Sequence, residues 1–382
     1  KETFSYLIRN CHPRPGEGKK ELAELLQQYT LTEKRLLEAA MYAPQWLDIV
    51  SGHLGWEGLH SAAWYFHAHI NEHFSAEKET VVACYSPISA QDFNDGAFDI
   101  RWFNDAYATL GAKRFKLLYD CAKYISGGAN HRRSQLFADA VLGELSLEEM
   151  HGSVVSKRNK DHLLAYSLIP LALGSEREQD VRGRYDFVQQ FLKESKKFGA
   201  QRKASEGTAA QIALDNLARN AGYADVTRLT WDMEASRLDG LEPFLEPYEV
   251  EPGLHVKLEI SREGQTSIVA VKQGKELKSL PSRVNKHEHV VRLKELKGEL
   301  TDQYRRARQE LERSMVQETV FTAQELFRLI GNPVLAPLLK ALVFRNGSAF
   351  GYLHEEQRCL IGLQVQSAAA QGDVDGGEQS YV

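Results

Sequence analysis

Cysteine is scarce. The chain has four among 382 residues, Cys11, Cys84, Cys121 and Cys359, and no two form a CxxC pair. That spacing excludes a zinc ribbon and a disulfide framework. So few cysteines fit a reducing compartment, and a cytoplasmic location is expected. Long apolar runs are also missing. The best candidate, Leu163 to Leu173, is short of the roughly 20 residues that span a bilayer and contains Pro170. No secretory leader is visible, and no membrane partner is expected. A strong charge of one sign is lacking as well, since the formal net charge is −5. This argues against wholesale coating of nucleic acid. The chain has no GxxxxGK[ST] and no GxSxG, and neither Gly127-Gly128 nor Gly351 belongs to a dinucleotide fingerprint. Cys84 and Cys121 have no histidine partner identifiable in sequence and read as buried thiols.

What is present is ordinary in amount and informative in order. An apolar fraction of 43% and a charged fraction of 26% describe a globular protein. A chain of this length holds two or three domains and buries enough core to need no metal or disulfide. It begins at Lys1 and not at Met, which reads as a piece of a larger protein.

Residues 1–242 read as a succession of helices. Leu22, Leu25, Leu26 and Tyr29 recur at helical spacing, and Leu36, Leu37, Ala40 and Met41 line the inner face of the next helix. Pro44 suits a first helical turn. Trp56, Leu59, Ala63, Phe66, Ile70 and Phe74 predict one apolar stripe over about five turns. Asn94-Asp95-Gly96 reads as a turn, and Phe98 to Tyr124 as one helix. Ser205 is the expected cap of a helix ending at Gly222. No strict period emerges, so the region is an irregular helical-repeat, α-solenoid-like body and not a named repeat class.

The pattern changes at Pro243 and Pro247. Val256, Leu258 and Ile260 alternate with polar neighbours, Glu263-Gly264 turns the chain, and Ile268 to Val271 returns, which predicts a short β-hairpin. A long charged helix then runs from about Lys286 to Gln317, with Leu293, Leu296, Leu300, Tyr304, Ala307, Leu311 and Met315 on one face. Thr322 and Glu325 form a capping box, Asn332-Pro333 ends that helix, and Asn346-Gly347 signals a second hairpin. The fold class is therefore mainly α: the helical body over 1–242, then a small α+β domain over 243–366. The Gly-, Ala- and Asp-rich tail at 367–382 reads as disordered.

Several blocks carry a resemblance. They are Gly55-Trp56-Glu57-Gly58-Leu59 leading into Ala63 to His69, Ala213 to Arg219 followed by Ala221-Gly222-Tyr223 and Trp231, Gly274 to Pro281, the helix with Arg308, Leu311, Glu312 and Met315, and Pro333-Val334-Leu335. Together they resemble a bacterial family of large proteins of unknown function described as MolR-like, that is, molybdate metabolism regulator-like. Some of its members carry a WGR domain. The resemblance spans about 40–350 in this sequence. It implies a helical-repeat body joined to a domain of unknown function, and it implies no catalytic residue set.

Three constellations bear on chemistry. His69-Ile70-Asn71-Glu72-His73 matches HxxEH, in which two histidines four apart on one helical face hold zinc and the glutamate activates water. On that reading His69 and His73 are metal ligands and Glu72 is the catalytic base. The alternative places His69 and His73 beside a buried stripe, bonded to neighbouring helices. Asp92, Asn94, Asp95 and Asp99 suggest calcium, but the glycine is misplaced for an EF-hand and the closing glutamate is missing, so a turn and an N-cap are expected there. Between Lys272 and Arg313 there are twelve Lys or Arg against seven Asp or Glu, with Arg305, Arg306 and Arg308 clustered on the long helix. Such a stripe can meet phosphates. The favoured reading is a solvated face laced with ion pairs.

The reading that takes in most of these features is a non-enzymatic helical scaffold that offers a concave surface to a protein partner, without a cofactor. The alternatives are a zinc-dependent hydrolase on His69, Glu72 and His73, and a nucleic-acid-associated module on Arg305, Arg306 and Arg308.

Overall fold

The computed structural model describes residues 2–235, 241–347, 349–354, 359–362 and 380–381. The chain is mainly α, as the sequence predicts, with antiparallel sheet confined to its C-terminal part. It divides into two compact units, Lys1–Val226 and Thr227–Val382. The division falls within the helix Val226–Ala235, upstream of the compositional change at Pro243.

The described residues of the first unit form helices and connecting segments only. Its centre is the helix Leu59–Ala68, in which Leu59 and every residue from Ala62 to Ala68 are buried. A helix apolar on all sides has to sit inside other helices. Tyr65, Phe66, Phe103 and Phe115 pack there at centroid distances of 5.0 to 6.3 Å, several of them edge to face. This geometry favours aromatic rings beyond the area they bury. The helix stops at Ala68, so the expected stripe to Phe74 is broken: Ile70 is buried and Phe74 half-buried, but neither is helical.

Other boundaries also shift. Pro44 opens a short 3-10 turn, Pro44–Trp46, in front of Leu47–Leu54. Residues 90–95 form a helical turn-and-a-half with Ser89 as its cap. The expected helix from Phe98 to Tyr124 is two, Ile100–Leu110 and Ala112–Cys121, separated at Gly111. Ala200–Ala221 begins before Ser205, which is not its cap. Cys121 is buried as expected, whereas Cys84 is exposed because it follows the last turn of Ala76–Val82 on the solvent side.

In the second unit Tyr248–Glu251, Leu254–Ile260, Thr266–Lys272 and Lys275–Glu276 form an antiparallel meander in chain order. Val256 faces Ala270 and Leu258 faces Ile268. Leu254, Val256 and Leu258 are buried while their neighbours are not, the period of two that the sequence shows. Gly264 turns this hairpin at φ +77, and a Cβ there would lie 2.7 Å from the Val334 carbonyl oxygen, so only glycine fits.

The helix Glu288–Val316 packs its first half against the meander through Val290, Leu293, Leu296 and Leu300. Its second half, through Ala307 and Leu311, enters a core with Trp231, Leu326, Leu329 and Leu339. The expected stripe ends differently: Met315 is exposed and Ser314 is buried in its place. Thr322 and Glu325 form the capping box of Ala323–Ile330, with Glu325 N donating to Thr322 Oγ1 at 3.2 Å and Thr322 N to Glu325 Oε2 at 2.7 Å. Val343–Asn346, Ala349–His354 and Cys359–Gly362 form a second antiparallel sheet, in which Asn346 is the last paired residue, opposite Ala349. Ser380 and Tyr381 pair with Thr322 and Phe321, while the rest of the tail at 367–382 lies outside the described residues. Among the described residues no helix is long and apolar enough to cross a membrane.

Candidate recognition cleft

The HxxEH residues do not share a helical face. The helix ends at Ala68, His69 is its C-cap, and Glu72 and His73 lie beyond it on exposed backbone. His69 is fully buried, and its Nδ1 lies 2.8 Å from the Tyr65 carbonyl oxygen, to which it donates. Its ring sits among Phe93, Phe98 and Trp102 at 5.0, 4.8 and 5.9 Å. Glu72 accepts from Asn130 Nδ2 at 2.9 Å. The helical premise for joint zinc ligation therefore fails where the helix ends at Ala68. Among the described residues no group of three or more His, Cys, Asp or Glu is placed to hold a metal ion. Asp99 is the N-cap of Ile100–Leu110, accepting from Trp102 N at 3.0 Å, as expected of the acidic run.

The basic stripe is paired. Arg305 lies 3.2 Å from Asp302, Arg308 lies 3.1 Å from Glu312, and Arg306 reaches Glu234 at 2.7 Å. Arg306 points inward to a carboxylate with no exposure, which sequence spacing does not reveal.

A different set of residues comes together in the first unit. A cavity of about 510 Å³ is lined by Asn71, Asn94, Arg133, Asp161, Ser205 and Thr208, among others. A second concavity of about 490 Å³ is lined by Lys157, Arg158, Lys160, Gln201, Arg202, Ser205 and Glu206. Lys160 and Ser205 line both, so the two concavities adjoin at this pair and are treated together as one cleft region.

Each wall has a local cause. Asn159 caps Lys160–Leu168 by accepting from His162 N, which presents Lys160 and Asp161 in the first turn. Lys160 Nζ donates to Ser205 Oγ at 2.7 Å, across to the Ala200–Ala221 helix. Arg133 is buried, and it donates to Asp161 Oδ1 at 3.2 Å and to the Asn94 carbonyl oxygen at 2.6 Å. The loop after Asp95 is fixed by Asn216, fully buried, which accepts from Phe98 N at 2.9 Å and donates to the Gly96 carbonyl oxygen at 3.1 Å. Gly96 lies at φ +104, and a Cβ there would stand 2.3 Å from Leu164 Cδ1, so the loop and the Lys160–Leu168 helix approach closely only because this residue is glycine.

Arg158 braces the other end. It sits at φ +51 as the C-cap of Leu147–Lys157. Its guanidinium donates to Glu206 at 2.8 Å, to Glu194 at 2.9 Å and to the Phe191 carbonyl oxygen at 2.8 Å, and it lies over the Phe191 ring at 4.0 Å. Arg202 donates to Glu206 at 2.8 Å and covers Phe198 at 3.8 Å. Burial would raise the Glu206 carboxyl, but the hydrogen bonds from Arg158 and Arg202 outweigh it and hold the group below the usual range. The planar, fully charged guanidinium suits this multiple bonding. Lys157 and Lys160 remain exposed along the rim. Sequence reasoning missed this cleft because its residues come from five segments between positions 71 and 209 with no motif among them.

A mainly α chain with a braced polar cleft in its first unit is thus defined, and the comparisons with known proteins agree with the division. The chain belongs to a family of unknown function, DUF5724, which matches residues 1–233 and includes every cleft residue. A domain of unknown function, DUF4132, matches residues 274–374. No curated protein and no solved structure matches the chain.

Proposed function

We propose that this chain is a helical interaction module of a larger protein, and that the cleft in its first unit receives an acidic segment of a protein partner. The observation that carries the reading is the pair of concavities that adjoin at Lys160 and Ser205, with Lys157, Lys160 and Arg202 exposed on their rim. The amides of Asn71, Gln91, Asn94 and Asn159 offer both donors and acceptors, which suits the backbone of an extended peptide. Asp95 and Asp161 make the wall mixed in charge, which suits a peptide whose acidic side chains meet only the Lys157, Lys160 and Arg202 rim and not a continuous run of phosphates. The resemblance to the MolR-like family supports a place within a larger protein.

The test is titration of a fluorescent Glu-rich peptide against the chain at low and moderate salt, with single- and double-stranded DNA in parallel. Binding that weakens with salt, and that falls about tenfold in Lys157→Glu/Lys160→Glu, is expected. Absence of peptide binding, or DNA binding that Lys157→Glu/Lys160→Glu leaves intact, would sink the reading.

A further inference from the structure

A second cluster in the first unit shares no residue with the cleft. Asp48 lies in the first turn of Leu47–Leu54, His60 in the first turn of Leu59–Ala68, and Tyr85 just after Ala76–Val82. His60 Nε2 is 2.8 Å from Asp48 Oδ1, and His60 Nδ1 is 2.5 Å from Tyr85 Oη. An ionised carboxylate only accepts, so Nε2 carries the proton and donates to Asp48. In the neutral ring Nδ1 is then the acceptor for the Tyr85 hydroxyl. Trp64 Nε1 also approaches His60 Nε2, at 3.3 Å. The shorter, charge-assisted contact with Asp48 sets the tautomer and leaves the indole as a wall.

The phenol is held in place. Its ring stacks on Trp102 at 5.3 Å and 5°, and the Trp102 indole donates to Ser61 Oγ at 2.8 Å. Burial pushes the Tyr85 hydroxyl up, so it stays protonated at neutral pH unless a base takes the proton. The order carboxylate, imidazole, hydroxyl is the arrangement that activates a nucleophile. Access remains, since the side chain of His60 is 31% exposed, that of Asp48 85%, and Tyr85 is half-buried.

We propose that Tyr85 is a nucleophile toward activated acyl-class electrophiles, with His60 as its base and Asp48 as the residue that orients the imidazole. Tyr85 Oη bonds to the electrophilic centre, its proton passes to His60 Nδ1, and the leaving group departs with the electron pair of the bond it loses. With an ester the leaving group is an alkoxide or phenoxide. With an arylsulfonyl fluoride it is fluoride, and the aryl sulfonate on Tyr85 is stable enough to map.

The experiment is time-resolved labelling of the whole chain with an arylsulfonyl fluoride, read by peptide mass mapping. Tyr6 and Tyr29, exposed by 67% and 65%, serve as internal references. Tyr85 is expected to react about tenfold faster than either, or more. Asp48→Asn and His60→Gln should each cancel that advantage and leave the Tyr6 and Tyr29 rates unchanged. A hydrogen bond of purely structural purpose would shield Tyr85 and make it the slowest of the three. Labelling of Tyr85 no faster than Tyr6 and Tyr29 overturns the proposal, and so does an advantage that survives Asp48→Asn. Asp48 is exposed enough for that variant to fold even where His60→Gln does not.

Discussion

Arg306 donates to both carboxylate oxygens of Glu234, from Nε at 2.7 Å and from Nη2 at 3.0 Å, and Glu234 has no exposure to solvent. The Glu234 carbonyl oxygen also accepts from Gln303 at 2.6 Å and from Asn332 at 3.2 Å. Removing one partner of such a pair strands a buried charge. Arg306→Ala should therefore cost about 3–5 kcal/mol in urea denaturation. Arg308→Ala removes a pair exposed by 67% and 62%, and should change stability by about 0.5 kcal/mol or less. Equal losses at the two positions would contradict the inward placement of Arg306.

Asn216 fixes the loop that forms one wall of the cleft. Asn216→Ala leaves Phe98 N–H and the Gly96 carbonyl without these partners in a buried setting. A loss of about 1–3 kcal/mol is expected, together with faster hydrogen exchange at Phe98. Unchanged exchange at that amide would show that the clamp is not closed in solution.

Arg158 joins stability to the proposed recognition. Arg158→Met retains bulk over Phe191 but withdraws the guanidinium from Glu206, which is 3% exposed. Thermal and urea melts should show a loss of about 1–3 kcal/mol, since Arg202 still bonds Glu206. Peptide affinity should fall as well, although Arg158 lies under the rim and not on it. A stable variant that keeps full affinity would separate the brace from the cleft.

His67 and His69 give stability a pH dependence. Burial pushes both down to about 3, and the Nε2 of each has no hydrogen-bond partner among the described residues. Between pH 6.5 and 3 the unfolded chain binds protons that the folded chain refuses, so stability rises with pH across that window. The slope is up to about 1.4 kcal/mol per pH unit for each histidine. Denaturation at pH 7, 6 and 5 measures it, and His69→Phe should flatten the curve by one histidine's share. A curve equally steep in His69→Phe would assign the dependence to other groups.

Much of the fold was legible residue by residue. The alternation of Val256, Leu258 and Ile260 and the Thr322/Glu325 capping box are local signals, and each produced the expected element. Helix ends were less legible. Nothing in Trp56 to Phe74 says that the helix stops at Ala68, because the apolar spacing continues while the backbone does not. The stop turns His69 and His73 from neighbours on a helix into one buried and one exposed residue.

The sequence by itself determined the class of the protein: helices from 3.6-residue periodicity, two β-hairpins from alternation and turns, and the absence of a membrane-length apolar run. Those features depend on residues a few positions apart, where backbone geometry alone fixes which side chains share a face. Only the tertiary structure decided which charges meet. Arg158 finds Glu206 across 48 positions, Arg306 finds Glu234 across 72, and His60 finds Tyr85 across 25. The partner of a long polar side chain is set by burial, because a charge removed from water must be matched by whatever carboxylate the packing of distant helices brings within about 3 Å.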